Sequence, residues 1–240
     1  TERKRAEMHA LAISRRLTLL HDVASAVVAG EAFDTICDRT LRGLRGAVES
    51  CDVAWWQSTG DGSLSRAVAT AGRPGAAPVA AHIVPASVPV VVHEAGAESP
   101  FVTALLDAEA ASALIACPVS VGPAVRGWIV VSSPEGRAWR ADEVDTVAAV
   151  ASALAGALTA VESRVEREAA EAEVRRSRAV LHTVLNALPQ AVYVKDEDGR
   201  WIVANEAFCR VAVRAMDEVI GRTTEELYSP EAAVRLRAQD

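Results

Sequence analysis

Residues 141–188 read ADEVDTVAAVASALAGALTAVESRVEREAAEAEVRRSRAVLHTVLNAL, a run that contains no proline and whose one glycine is Gly156. Apolar or small residues recur in alternating steps of three and four, at Val144, Val147, Ala151, Leu154, Leu158, Val161 and Val165. This spacing is typical of the seam of a coiled coil. We predict one uninterrupted helix, roughly 70 Å long at 1.5 Å per residue. Because globular helices usually have about 8–20 residues, we interpret it as a connector between domains.

The middle of this run differs from its ends. From Glu162 to Arg178 there are five acidic and five basic residues, some of them at i,i+4 spacing. The apolar seam resumes at Leu181, out of heptad register with the first part, and Pro189 ends the helix. A phase break of this kind locally unwinds or overwinds a coiled coil. We therefore expect the two ends to dimerise and the segment around 168–174 to bend or change register.

A helix from about Lys4 to Ala29 carries a second seam with the same spacing. Two such seams in one chain predict a parallel homodimer. The residues expected at the dimer interface are Ile13, Leu17, Leu20, Val147, Leu154, Leu158, Val161, Val165, Leu181, Val184 and Leu188.

The composition limits the kind of protein this is. At 240 residues with 50% apolar content, one or two domains with real cores are expected. The net charge of −7 argues against a nucleic-acid surface, which usually needs a basic stripe. The four cysteines form no CxxC pair, so we expect no zinc site, and a reducing cytoplasm fits their use. The uncharged stretch 146–161 is too short to span a bilayer, so we expect no membrane insertion.

A mixed pattern of helices and strands fills residues 31–140. A helix from about Glu31 to Val48 is followed by a hairpin, a proline-containing loop at 72–87, an edge strand, a short helix that starts at Ser99-Pro100, and a second hairpin. The predicted strands are 51–57, 64–71, 88–93, 112–121 and 127–133. The last two are apolar at consecutive positions, which indicates burial on both faces of a sheet. The predicted fold class is α+β.

This order of elements over residues 17–162 resembles a GAF domain. The local matches are Cys117-Pro118-Val119, Gly127-Trp128-Ile129-Val130-Val131 and Trp139-Arg140-Ala141-Asp142-Glu143-Val144. The resemblance implies an antiparallel sheet flanked by helices, with a ligand pocket between the sheet and the long loop.

Residues 189–240 resemble the first half of a PAS domain. The stretch PQAVYVKDEDGRWIVANEAFCRV, residues 189–211, has an acidic-glycine turn between two strands, and it places Asn205 and Phe208 as PAS sequences do. Glu218-Val219-Ile220-Gly221-Arg222 resembles a later PAS step. Half of such a fold would expose apolar surface and open strand edges, so we expect this part to be poorly ordered or to pair with another chain.

The first residues, Thr1 to Glu7, resemble the motif that closes many PAS domains, although an ordinary charged helix start is an alternative. The predicted organisation is a signalling helix from an upstream PAS domain at 1–16, a GAF domain at 17–162, a connector helix at 141–188 and a partial PAS domain at 189–240. The sequence is thus interpreted as the middle of a longer sensor of the histidine kinase or diguanylate cyclase type.

No catalytic motif is present. The chain lacks the phosphate-binding GxxxxGK[ST], the metalloprotease HExxH and the GxSxG motif, so we predict no activity of its own. His182 as a phosphoacceptor lacks the acidic residue that usually follows such a histidine, and we interpret it as flanking the seam.

A ligand pocket of the GAF type would combine apolar walls with a few polar groups. The candidate lining residues are Trp55, Trp56, His82, His93, Phe101, Cys117 and Trp128. The alternative for Trp55, Cys117 and Trp128 is a place in the core. The sequence identifies no cofactor; haem on His82 or His93 is one alternative, because some GAF domains bind haem. The loop cysteine of bilin-binding GAF domains and the Asn-Lys-Phe-Asp-Glu pattern of cyclic-nucleotide GAF domains are absent.

These features predict a cytoplasmic sensory module that detects a small ligand or redox state and transmits it through a dimeric helix to an output domain. One alternative is a dimerisation scaffold that binds no ligand. Another is the regulatory region of a transcription factor.

Overall fold

A computed structural model describes residues 2–48, 51–59, 63–69, 79, 89–94, 96 and 99–237. The chain forms two units, Thr1–Val165 and Glu166–Asp240. The helices are α1 (Glu2–Val28), α2 (Phe33–Ala47), α3 (Pro100–Glu109), α4 (Ala141–Ala187), α5 (Glu206–Ala212), α6 (Met216–Val219), α7 (Thr224–Leu227) and α8 (Pro230–Arg237). The strands are β1 (Asp52–Ser58), β2 (Leu64–Ala69), β3 (Val90–Val92), β4 (Ala113–Val121), β5 (Ala124–Ser133), β6 (Tyr193–Lys195) and β7 (Trp201–Ala204).

The first unit is built on one antiparallel sheet of five strands in the order β2-β1-β5-β4-β3. Both predicted hairpins, the edge strand and the Ser99-Pro100 helix start are confirmed, and Ser99 Oγ accepts the Val102 N–H at 3.4 Å. The central strands β4 and β5 are buried on both faces, as their continuous apolar runs predicted. The predicted 72–87 loop lies outside the described residues except Val79, which bridges to Leu64.

Two prolines mark the place where β3 stops pairing with β4. In this ladder Val90 lies opposite Ala116. Pro89 precedes Val90, and Pro118 follows Ala116 by two residues on the partner strand. Because proline has no N–H to donate, it is found in sheets at edges and at the ends of pairing.

The predicted long helix is confirmed: α4 is continuous from Ala141 to Ala187. Its buried residues include the predicted Val147, Ala151 and Leu154 and cover one face of the sheet as far as Ala157, whereas the predicted Val144 and Leu158 are only partly buried. Among the described helices, α4 alone has the length and apolar content to cross a membrane, with a window of mean hydropathy 1.7. A helix that covers the core of a globular domain passes the same test, and Val147 and Leu154 of α4 are fully buried against the sheet.

The described part of the second unit has a two-stranded antiparallel sheet, β6-β7, and the short helices α5 to α8. Its small core contains Trp201, Ala204 and Val219, with Phe208 and Tyr228 packed against them. The expected exposed apolar surface is found, because Ile202 and Val194 remain about half exposed, at 51% and 47%.

The buried side chain of Asn205 makes several hydrogen bonds to the main chain of the second unit. It is fully buried, and its Nδ2 donates to Gln190 O at 2.8 Å while its Oδ1 accepts the N–H of Val192 and of Phe208. In the same region, Asn186 Oδ1 accepts the Glu206 N–H at 2.9 Å. These side-chain bonds link the last turn of α4 to the start of α5.

Candidate functional site

Side chains alternate between the two faces of the five-stranded sheet. On β1, Trp55 packs with α1, α2 and α4, whereas its neighbour Trp56 packs with α3 on the opposite face. This alternation follows from the two-residue period of a strand. The face covered by α3, here called the α3 face, carries the residues Trp56, Arg66, Phe101, Glu109 and Trp128.

Trp56 and Trp128 lie directly opposite each other on β1 and β5 and are fully buried. The Phe101 ring of α3 lies over Trp128, with centroids 4.9 Å apart and an interplanar angle of 51°. Ser99 and Pro100 fix the start of α3 and so set the position of Phe101. The α3 face is therefore lined by three large aromatic side chains on rigid elements.

A buried acid-base pair lies beside these rings. Glu109, at the end of α3, accepts the Trp56 Nε1–H at 2.7 Å, and Arg66 Nη1 of β2 lies 3.4 Å from its other oxygen. Both charged side chains are almost inaccessible, with 9% of Arg66 and 4% of Glu109 exposed. Burial raises the pKa of Glu109, and the Trp56 hydrogen bond and the Arg66 charge oppose that rise.

The second indole of this face has no such partner. Trp128 Nε1 is buried and makes no hydrogen bond within the part of the chain that the structure describes. The two neighbouring indoles thus differ: the Trp56 N–H is bonded to Glu109, whereas the Trp128 N–H has no partner among residues that the structure describes.

The predicted pocket residues do not form one group. Trp56, Phe101 and Trp128 meet on the α3 face, but Trp55 and Cys117 pack into the core on the opposite face. His93 is exposed beyond β3, and its Nδ1 accepts the Trp139 N–H at 3.0 Å. His82 lies outside the described residues. Because the sheet separates the two groups, the seven residues cannot line a single pocket.

The sequence patterns do not indicate Arg66 and Glu109 as residues of this site. They are 43 residues apart in the chain, and no local motif links them. A local feature that could have indicated the site is the acidic residue Glu109 at the end of a mostly apolar helix. The described residues include no group of three or more His, Cys, Asp or Glu side chains placed to hold a metal ion.

Two predicted dimer-interface residues are corrected. Val147 and Leu154 are fully buried in the core of the first unit, so they are not available to a partner chain. The apolar stripe that predicted a partner helix faces the sheet instead over this part of α4. Other predicted interface residues remain on the surface, with exposures of 60% for Leu17, 56% for Val165 and 59% for Leu181.

A polar cavity of about 330 Å³ lies on the helical side of the first unit. Arg137, one of the lining residues, donates to Glu143 Oε1 at 2.7 Å and to Cys51 Sγ at 3.0 Å, and its guanidinium group stacks over the Trp139 ring. Arg140 pairs with Asp142 in the first turn of α4. These contacts hold the start of α4 against the end of β5, which is a structural role.

Comparison with known proteins identifies both units. The family model described as PAS fold matches residues 185–240. The uncharacterized protein y4lL of Sinorhizobium fredii (strain NBRC 101917 / NGR234) is 37% identical over 62 residues, which are 26% of this chain and 8% of y4lL. The match therefore spans only a small part of that relative.

The fold of the first unit is found in solved structures. The phycoerythrobilin-bound GAF domain from a cyanobacterial phytochrome has a TM-score of 0.52 at 15% identity, with 64% of this chain and 98% of that domain covered. The GAF domain from a phosphoenolpyruvate-protein phosphotransferase of Coxiella burnetii has a TM-score of 0.51 at 12% identity, covering 64% and 98%. The chain therefore combines a GAF fold with a partial PAS fold.

Proposed function

We propose that this chain is a non-catalytic sensory module. A small molecule binds on the α3 face of the GAF fold, and α4 transmits the resulting change to the PAS unit and to an output domain. The domain limits follow the sequence prediction, with GAF at 17–162 and partial PAS at 189–240. We also propose a cytoplasmic location, without membrane insertion or nucleic-acid binding.

The observation that carries the proposal is the continuity of α4. Val147, Val150 and Leu154 are fully buried against the sheet, so the first half of α4 is part of the GAF core. The same helix continues to Asn186, which is hydrogen-bonded to the first residue of α5. A packing change at the sheet therefore acts on an element that also belongs to the second unit.

Strand β1 connects the α3 face, where the ligand would bind, with the core beneath α4. Trp55 and Trp56 are consecutive residues, one in the core beneath α4 and the other on the α3 face. A shift of β1 caused by a ligand on the α3 face would be felt by both cores, because packed interiors transmit strain. Transmission requires that the ligand bind two arrangements of α4 with different affinity.

The ligand of the cyanobacterial relative is a bilin, and that relative supports the idea that this fold holds small molecules. Covalent attachment of a bilin is not part of our proposal. Cys117 is fully buried on the face opposite α3, and burial raises its thiol pKa to about 12, which disfavours the reactive thiolate.

A homodimer is the second part of the proposal. Surface apolar residues remain on α4 after its core face is used, namely Val165, Val174, Val180, Leu181 and Val184. They support pairing of the distal half of α4 with a second copy. The same observation favours the alternative function, a dimerisation scaffold whose GAF fold binds no ligand.

The experiment joins a binding screen to a readout on α4. The purified full chain is screened by thermal shift against small metabolites, where ligand at about 100 times its Kd adds about 2.7 kcal/mol. Any stabilising compound is then tested by hydrogen–deuterium exchange of residues 166–187. The proposal expects altered exchange there. Stabilisation without any change in α4 contradicts transmission, and a screen with no stabilising compound favours the scaffold.

Light scattering at high micromolar concentration tests the dimer, and a monomer contradicts it.

A further inference from the structure

The indole N–H of Trp128, which has no acceptor among the described residues, bears on the kind of ligand. We infer that Trp128 Nε1–H donates to an acceptor atom of an uncharged small molecule, a carbonyl oxygen or a ring nitrogen carried on a flat apolar body. This inference rests on the proposed function, because it assumes that the α3 face binds a small molecule.

Trp128 is a buried side chain whose donor group has no described partner. None of its surface is accessible to solvent (0%), and its Nε1 has no acceptor within the described part of the chain. Buried side-chain donors in native proteins are nearly always hydrogen-bonded to protein or water. A buried donor without a partner costs free energy, which an acceptor supplied by a ligand would recover.

Glu109, the buried carboxylate beside these rings, already has partners. Glu109 Oε1 accepts the Trp56 Nε1–H at 2.7 Å, and its Oε2 lies 3.4 Å from Arg66 Nη1. Both oxygens are therefore engaged by other groups.

The charge and shape of the α3 face limit the kind of ligand. The buried charges of the α3 face, Arg66 and Glu109, offset each other, so a charged ligand would lose its hydration without gaining a counter-ion. The side chains that pack with Trp128 in the core of this face are apolar, among them Phe101, Leu105 and Leu114. Flat apolar molecules pack well against aromatic rings, so the ligand is expected to be uncharged and planar.

The test observes the indole N–H directly. The full chain is labelled with ¹⁵N at its five tryptophans, and the Trp128 signal is assigned from the spectrum of Trp128→Phe. The probes are coumarin, benzamide and 2-pyridone, which are flat and carry a carbonyl. Naphthalene, which has no acceptor, is the matched control probe. Trp201, whose Nε1 is also buried and has no partner in the described part of the second unit, is the internal control.

We expect at least one carbonyl probe to move the Trp128 N–H signal downfield in a saturable manner, while naphthalene does not and the Trp201 signal stays in place. Trp128→Phe should weaken binding of that probe about tenfold, the order expected for one lost hydrogen bond. If Trp128→Phe does not fold, single Phe variants of the other four tryptophans assign the signal by elimination.

Three outcomes overturn the inference. One is a Trp128 signal that is already hydrogen-bonded in the free protein. Another is a signal that none of the three carbonyl probes moves. The last is equal binding of the active probe by wild type and Trp128→Phe. Failure of the proposed function can be told apart from failure of this inference. If the Trp128 signal moves while hydrogen exchange in α4 stays constant, the ligand class is supported and transmission through α4 is contradicted.

Discussion

The side-chain Nδ2 of Asn205 donates a hydrogen bond to the main-chain oxygen of Leu185 at 2.9 Å. Leu185 lies in the last turn of α4, where carbonyls have no partner within the helix. Asn205 is also the N-cap of α5 through the Phe208 N–H. One buried amide therefore closes one helix and opens the next.

Replacing Asn205 with Ala should destabilise the second unit. The change removes two side-chain donor bonds, to Leu185 O and Gln190 O, and two acceptor bonds, from Val192 N and Phe208 N. The Gln190 oxygen and the N–H groups of Val192 and Phe208 would lose these bonds, while the Leu185 oxygen would keep only its 3.3 Å bond from the Leu188 N–H. We therefore expect a loss of about 2–4 kcal/mol in the stability of the second unit. Native-state hydrogen exchange of residues 185–210 measures it. The control is Thr183→Ala, which removes one exposed bond to Ala179 O. Equal exchange in both variants would contradict the role of Asn205.

The buried pair on the α3 face gives a prediction for stability at neutral pH. Glu109→Ala leaves the Trp56 Nε1–H without its acceptor and takes the carboxylate away from Arg66. Breaking a buried pair usually costs about 3–5 kcal/mol. Urea denaturation followed by tryptophan fluorescence measures the loss. The matched control is Arg126→Ala, whose pair with Glu162 is half exposed and should be worth less than about 1 kcal/mol.

Glu109 also predicts a pH dependence. Its pKa is raised in the folded state, mainly by burial, so the folded chain binds this proton more tightly than the unfolded chain. The stabilisation that comes from the tighter binding of this proton is therefore complete below the ordinary pKa of 4.5. It is lost as the pH rises through the folded-state pKa of Glu109. Glu109→Gln should flatten this part of the stability curve, measured by urea denaturation at a series of pH values from 4 upward. A curve with unchanged slope would show that another group is responsible.

The two halves of α4 should respond differently to the same substitution. Leu154→Ala removes a fully buried side chain from the GAF core, so we expect a loss of about 2–5 kcal/mol in the stability of the first unit. Leu181→Ala changes a residue that is 59% exposed, so it should leave that stability unchanged and weaken dimerisation about tenfold. Urea denaturation and sedimentation equilibrium distinguish the two effects. A Leu154→Ala variant that only dissociates the dimer would restore the original seam prediction.

A pair of glycines tests the packing under Trp55. A Cβ on Gly127 would overlap the Trp55 ring and the Trp56 main-chain oxygen, so Gly127→Ala should destabilise the first unit by about 1–3 kcal/mol or more. A Cβ on Gly156 would meet nothing within 4 Å, and Gly156→Ala in the interior of α4 should stabilise it by about 1 kcal/mol. Calorimetric melting of the two variants should therefore move in opposite directions. A rise in melting temperature for Gly127→Ala would contradict the close contact.

Most elements of the fold could be predicted from the sequence because they depend on local patterns. The apolar runs of β4 and β5, the Ser99-Pro100 start of α3 and the length of α4 all follow from residue spacing. The spacing of an apolar stripe does not reveal which element packs against it. Val147 and Leu154 have the period of a coiled coil, but a sheet and a partner helix demand the same stripe.

The candidate site was predictable only in part, since it joins distant segments. Consecutive residues of a strand point to opposite faces, so Trp55 and Trp56 could have been assigned to different cores from the sequence alone. The contact between Arg66 of β2 and Glu109 of α3 depends on how α3 crosses the sheet, which no residue spacing encodes.

Pro89 and Pro118, which flank the end of the β3–β4 ladder, have a consequence for how copies of this chain can associate. Strand-to-strand growth between molecules requires an unbroken row of N–H donors along the edge that is extended. Neither proline offers one. A strand added across either proline would therefore lack a main-chain hydrogen bond at that position, which disfavours fibril-like addition at this corner of the sheet.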